Sequence, residues 1–369
     1  MKSDCFQNAA SSLLAWYGRH SRDLPWRKGR DPYAIWVCEV MLQQTQVAVI
    51  RERFGQFMQK FPDVRGLAGS SLDSVLKAWE GLGYYARARN LHKAAKIIVS
   101  QHAGKLPEDP QTLLGLPGVG RYTAGAIASI AFGLDEPVLD GNVKRVLCRV
   151  FCIRQNPKEG KTERRLWSLA RQLVPSGKAG LFNQALMDLG ALVCVPGNPR
   201  CELCPLAKLC GACARGEQNE LPRKGIGKAI PHHDVAAGVI WKSGRILVDQ
   251  RKPDGLLGGL WEFPGGKRKK GESLKACLVR EVREEIGIVV KPLALITSVE
   301  HAYTHFRITL YAFECDYVSG RARAIGCAAV RWIRPKELDR FAFPAANKKI
   351  IAELRARRCM TRTNKNLGI

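Results

Sequence analysis

The sequence predicts a multidomain chain, an all-α domain followed by an α+β domain. Three observations carry this. The chain has 369 residues, 46% of them hydrophobic, which is ample for more than one core. From the N-terminus to about residue 192 the apolar residues fall at helical spacing, with short polar turns and no convincing strand. From Asp234 the period changes to the short β-rich runs VAAGVIW, RILVDQR, LALITSVE, RITLYAFEC and AAVRWI, interrupted by one helix from about Ser273 to Ile286. The expected boundaries are a first domain at 1–215, a polar, basic linker at 216–233, a second domain at 234–358 and a basic tail at 359–369.

Charge narrows the partners. Lys and Arg number 59 against 33 Asp and Glu, a formal net charge of +26, and the excess is spread over both halves. A polyanionic partner for the whole chain follows, although such a charge also serves solubility alone. No apolar run reaches the length of a membrane span, and the N-terminus lacks a long apolar signal core. A cytoplasmic, monomeric protein without a membrane partner is expected. Thirteen cysteines in that compartment argue against a disulfide scaffold and toward metal ligation by a clustered subset.

Taken in order, residues 4–19 read as an amphipathic helix carrying Leu13, Leu14, Trp16 and Tyr17. Arg22 to Arg27 is a proline-broken connection, and its Trp26 fits either the core or a base contact. Pro32 suits the first turn of a helix that runs through Trp36, Glu39 and Met41 to Gln44. Glu39 is the lone carboxylate in IWVCEVMLQQ. There it is either a partly exposed helix residue or a buried group with a raised pKa, fit for a general acid. Further helical runs cover Leu91 to Val99, Arg121 to Phe132, Val143 to Val150, Leu166 to Leu173 and Phe182 to Val193.

Leu116-Pro117-Gly118-Val119-Gly120 is a tight turn before the Arg121 helix. Two glycines two apart suit a hairpin that brings backbone N–H groups close to a phosphate at a helix start, and they also suit an ordinary helix–helix turn. Asp140 follows in LDGNVKR. Together, hairpin and aspartate resemble the helix-hairpin-helix DNA glycosylase superfamily. CEVMLQQTQV, GLGYYARARN, LPGVGRYTAGA, LDGNVKRV and FNQALMDLGALVC, in this order over residues 6–215, resemble the adenine DNA glycosylase family closely. Lyase members of the superfamily, such as endonuclease III, carry a lysine where this chain has Tyr122. Without that amine no Schiff base forms, so a monofunctional glycosylase is favoured.

The resemblance implies removal of adenine from A:8-oxoguanine and A:G mispairs in double-stranded DNA. Cleaving a purine N-glycosidic bond calls for one acid and one carboxylate. Glu39 would protonate N7 of adenine, and Asp140 would stabilise or trap the sugar cation. Tyr122 and Asn142 match positions that support the cation and Asp140. The base must first leave the stack. By resemblance Gln44 and Tyr84 occupy wedge positions, Thr45 lies near the 8-oxoguanine, and Gly118, Val119 and Gly120 grip DNA. Arg22, Trp26, Arg27 and Gln184 line the adenine pocket, with Gln184 standing where many relatives carry Glu. Two rivals remain, an endonuclease III-like lyase and a non-catalytic mismatch-binding protein.

Cys194, Cys201, Cys204 and Cys210 have the spacing C-x6-C-x2-C-x5-C, able to hold either a [4Fe–4S] cluster or zinc. A rival quartet replaces Cys194 by Cys213. The first quartet resembles the iron–sulfur loop of the glycosylase family, spanning 194–210.

In the second domain, residues 266–288 match the Nudix box, G-x5-E-x7-REUxEExGU, in full. Glu281, Glu284 and Glu285 fall at i, i+3 and i+4, a spacing that suits Mg²⁺ or merely a solvated acidic face. The glycosylase family carries a Nudix-like C-terminal domain, usually with this box degraded. His301-Ala302-Tyr303-Thr304-His305 resembles its loop contacting 8-oxoguanine, commonly Phe-Ser-His at its centre, which assigns that contact to Tyr303, Thr304 and His305. A reader of 8-oxoguanine is favoured. The alternative is a domain that also hydrolyses oxidised nucleoside triphosphates.

Overall fold

The structure, a computed structural model, describes residues 3–223, 225, 230–303 and 305–366, with side chains from residue 7 to 357. The chain divides into two compact units: Met1–Gly69 with Asn90–Gly227, and Ser70–Arg89 with Lys228–Ile369. The helices are α1 Ser3–His20, α2 Pro32–Leu42, α3 Val47–Lys60, α4 Val64–Gly69, α5 Leu72–Ala78, α6 Ala86–Gln101, α7 Pro110–Leu114, α8 Arg121–Ile130, α9 Gly141–Val150, α10 Gly160–Leu173, α11 Ala179–Leu192, α12 Gly211–Ala214, α13 Leu274–Ile286 and α14 Ala345–Asn366. The expected helical runs are present, but α2 stops at Leu42, leaving Gln44 outside it with left-handed backbone, and α8 stops at Ile130; α6 starts five residues earlier than Leu91, because Ala and Arg are good helix formers.

In the first unit the local chemistry sets where helices start. Asp31 accepts from the Tyr33 and Ala34 amides, and Pro32 takes the first helical position of α2. α2 is buried nearly all round, from Tyr33 to Met41, so Glu39 is carried into the interior with its neighbours. The core of α1 and α8–α11 packs Leu13, Trp16, Val143, Leu147, Leu166, Phe182, Leu186 and Leu189. Two helix glycines allow close approach to the segment carrying Asp140. A Cβ on Gly125 would lie 2.4 Å from the Pro137 carbonyl oxygen, and one on Gly190 2.7 Å from Asn142 Cβ.

The second unit is built on seven strands: β1 His232–Lys242, β2 Arg245–Gln250, β3 Trp261–Glu262, β4 Gly265–Lys267, β5 Ile288–Ala302, β6 Arg307–Gly320 and β7 Ala329–Ile333. Their order is β3-β2-β1-β6-β5, with β4 pairing β1 and β7 pairing β2. β1 and β6 run parallel, whereas β5 and β6 are antiparallel with three register shifts. The five predicted strands are all present; β3 and β4 are too short to show a period. α13 begins where the Ser273 hydroxyl accepts from the Ala276 amide and ends at left-handed Gly287 (φ 78°). It covers one face through Cys277, Leu278, Val282 and Ile286. The other face packs Ile350, Ile351 and Phe343 against Val239, Val248 and Leu310.

Candidate active site and nucleic-acid interface

Two carboxylates in the first unit are shaped differently by their surroundings. Glu39 is 5% exposed, and its Oε2 accepts a 2.6 Å hydrogen bond from the Tyr122 hydroxyl on α8. Burial pushes its carboxyl up to about 7, with the charge of Asp140 adding and the Tyr122 hydrogen bond opposing. Glu39 can therefore be a neutral acid near neutral pH. Asp140 is the N-cap of α9: its Oδ1 accepts from the Val143 amide at 2.7 Å and its Oδ2 from Asn142 Nδ2 at 3.1 Å. Burial raises its pKa, and these two donors oppose the rise. An acid and a carboxylate of this kind can divide proton donation and cation stabilisation between them.

Both line one cavity of about 700 Å³, together with Arg22, Trp26, Arg27, Gln44, Thr45, Tyr122, Asn142 and Gln184. Ten of the residues singled out in the first unit thus meet at one place. Trp26 takes its core part, buried and edge-on to Phe54 at 5.6 Å, and it also lines the cavity. Gln184 accepts from the Tyr17 hydroxyl at 3.2 Å, which orients its amide.

One residue was missed. Asp188, fully buried on α11, holds both pocket arginines: Arg22 Nε at 2.7 Å, and Arg27 through Nη1 at 2.8 Å and Nη2 at 2.9 Å. Burial would raise its carboxyl, yet the hydrogen bonds from Arg27 and Arg22 hold it below the usual range. The signal was available, since Asp188 is the lone acid in the apolar stretch FNQALMDLGAL, as Glu39 is in its own.

The hairpin lies outside this cavity's lining. Gly118 is left-handed (φ 79°), and a Cβ there would meet Asn90 Cβ at 2.7 Å. Val119 is buried, and Gly120 caps α8 with its backbone alone, so the turn ends at a helix N-terminus as expected. Gln44 and Tyr84 share an uncommon feature. Both are exposed and left-handed without being glycine, with φ of 57° and 46°. Such residues are held in place against local strain, a condition that clusters at functional positions.

Residues 37–172 match the HhH-GPD superfamily of base excision DNA repair proteins, and residues 236–353 match the NUDIX domain. The chain is 38% identical to the human adenine DNA glycosylase over 92% of its own length and 72% of the relative's. It belongs to the adenine DNA glycosylase family. It is also 42% identical to the adenine DNA glycosylase of a Buchnera aphidicola strain, over 70% of this chain and 74% of that one. A solved thermostable thymine-DNA glycosylase superposes with a TM-score of 0.53 at 32% identity, covering 57% of this chain and 98% of that chain.

In this family member Cys194, Cys201, Cys204, Cys210 and Cys213 all line a single small cavity. Arg149 donates to the Cys194 sulfur at 3.2 Å and Arg145 to its carbonyl at 2.7 Å. Cationic donors of this kind suit a thiolate. The thiols are ringed around a space, and among the described residues no three Cys, His, Asp or Glu converge tightly enough to hold a single metal ion.

The Nudix-box residues of the second unit divide. Glu281 and Glu285 line a cavity of about 470 Å³ with Asp249, Arg251, Glu262, Tyr303, Phe306 and Asn347. Burial, and then the charge of Glu281, push Glu285 up to about 7. Glu284 is exposed and outside that lining. Arg280 gathers Glu272 at 2.7 Å, Glu281 at 2.8 Å and Glu284 at 3.1 Å, so a guanidinium already answers the acidic face. Of the three glutamates, Glu281 and Glu285 share the cavity and Glu284 stands outside it. Tyr303 is half-buried, stacked on Phe306 at 4.6 Å and edge-on to His301 at 4.5 Å. His305 is exposed, and Thr304 lies outside the described residues.

Proposed function

We propose that this chain removes adenine opposite 8-oxoguanine or guanine in double-stranded DNA and leaves the strand uncut. The observation that carries this is the pair Glu39–Asp140 in one cavity, one carboxyl pushed to about 7 and the other capped by helix amides. The expelled adenine would enter beside Trp26, Arg27 and Gln184. Glu39, protonated, gives its proton to N7 and makes the base a neutral leaving group. Tyr122 holds the resulting carboxylate in place. As the glycosidic bond breaks, positive charge develops on the sugar, and Asp140, oriented by Asn142 and the Val143 amide, stabilises it until water attacks. Gln44 and Tyr84 fill the space the base leaves, Thr45 meets the opposing lesion, and the Gly118–Gly120 turn binds the backbone.

Cys194, Cys201, Cys204 and Cys210 are the proposed ligands of a [4Fe–4S] cluster. The family's spacing favours this quartet and, with it, a multi-iron group over one zinc ion. Bound there, the cluster would fix the 194–210 loop. The second domain is proposed to read 8-oxoguanine through Tyr303, Thr304 and His305, without Mg²⁺ chemistry, because fused domains often keep binding after chemistry is lost.

The test is a single-turnover assay on duplexes with adenine opposite 8-oxoguanine or guanine. Base loss without strand cleavage is expected, and β-elimination would restore the lyase reading. Glu39→Gln and Asp140→Asn should each slow excision by roughly two orders of magnitude or more while duplex binding persists. A near-normal rate in Glu39→Gln would remove Glu39 from the chemistry.

A further inference from the structure

The segment carrying Tyr84 groups with the C-terminal unit, although it lies within the stretch that matches the base-excision superfamily. Its anchors are specific. Asp73 on α5 accepts from Gln250 Nε2 at 2.8 Å, and Gln250 also donates to the Gly259 carbonyl at 3.0 Å. Gly259 lies so close to α5 that a Cβ there would meet Leu76 Cδ1 at 2.9 Å. Glu80 is bridged at 2.9 Å by both Lys77 and Lys348 of α14, and Lys77 donates to the Phe341 carbonyl at 3.1 Å. Arg89 donates to the Gly258 carbonyl at 2.8 Å.

Between these anchors the loop is braced by its own hydrogen bonds. Trp79 Nε1 donates to the Gly83 carbonyl at 3.1 Å. The buried Arg87 donates to the Leu82 and Gly83 carbonyls, and its guanidinium lies 5.3 Å from the Trp79 ring centroid and 5.5 Å from that of Tyr84. The exposed ring of Tyr84 therefore stands on a platform whose ends are fastened to residues 250–259 and 341–348.

We propose that these residues of the C-terminal unit set the position of Tyr84, so that this unit promotes base excision through the wedge loop as well as through its own contacts with DNA. Gln250, Lys348, Glu80 and Arg89 act as positioning residues. The inference rests on the reading of Tyr84 as a wedge.

The full chain carrying Lys348→Glu tests it, on duplexes with 2-aminopurine stacked beside the lesion, whose fluorescence reports unstacking. The variant should lower both the fluorescence rise and the single-turnover rate by about fivefold, with thermal stability and iron content unchanged. The swap Glu80→Lys with Lys348→Glu keeps two cations and one carboxylate in the cluster and should restore both signals. Tyr84→Ala in parallel separates the two ideas. If Tyr84→Ala loses both signals while Lys348→Glu keeps them, or if the swap stays as low as Lys348→Glu, the positioning proposal is overturned. If Tyr84→Ala changes neither signal, the wedge reading itself falls, and this inference with it.

Discussion

Tyr122→Phe probes the acid most directly. In the structure the Tyr122 hydroxyl donates to Glu39 at 2.6 Å, an interaction that favours the ionised form of the acid. A hydrogen bond to a charged group contributes about 1.5–3 kcal/mol, which corresponds to roughly one to two pKa units. Removing the hydroxyl should therefore raise Glu39 further, from about 7 into the range of roughly 8–9. On the proposed role Glu39 acts in its protonated form, so the rate should fall as pH rises through its pKa. In Tyr122→Phe that alkaline fall should begin one to two units later, about the shift that hydrogen bond would impose. The plateau below pH 7 should drop, because the hydroxyl no longer steadies the carboxylate formed on proton transfer. Single-turnover excision at closely spaced pH values, for native protein and variant, gives the two limbs. An alkaline limb that stays put or moves downward would refute the assignment of Glu39 as the proton donor under Tyr122's control.

Other outcomes follow from the same geometry. Asp188→Ala strands Arg22 and Arg27 around a buried site and should destabilise the protein by roughly 3–5 kcal/mol in urea unfolding, beyond any loss of excision. Cys194→Ser or Cys204→Ser should lower iron content by elemental analysis and bleach visible charge-transfer absorption, whereas Cys213→Ser should not; the reverse pattern would select the rival quartet. Glu284→Gln should leave adenine excision intact. Incubation of native protein with 8-oxo-dGTP and Mg²⁺ should yield no steady pyrophosphate, and steady release lost in Glu284→Gln would establish a hydrolase.

The parts of this molecule legible in the sequence are those in which chemistry and periodicity coincide. Glu39 stands out because a carboxylate in a helix with no polar face must be paired or neutral. Ser273 and Gly287 bracket α13 because a hydroxyl cap and a left-handed glycine are local requirements. Asp188 carries the same signal as Glu39 inside the FNQALMDLGALVC stretch, but its two partners, Arg22 and Arg27, lie more than 160 residues away in the chain, so they had to be seen. The left-handed backbone at Gln44 and Tyr84 was hidden because neither is glycine, the residue that ordinarily marks it. The grouping of 70–89 with residues 228–369 depends on Gln250, Gly259 and Lys348, far along the chain, and no local pattern encodes it.

The double grip of Asp188 has a kinetic meaning. Two guanidiniums locked on one buried carboxylate have surrendered their rotamer freedom during folding, before any base arrives. An incoming purine then meets a wall that is already set and gains nothing from remodelling it. Recognition by such a wall is a matter of steric fit, swift for a base of the right outline and unforgiving of a bulky substituent. Adaptability, which would let the two arginines re-form around many different ligands, is what such a double lock removes.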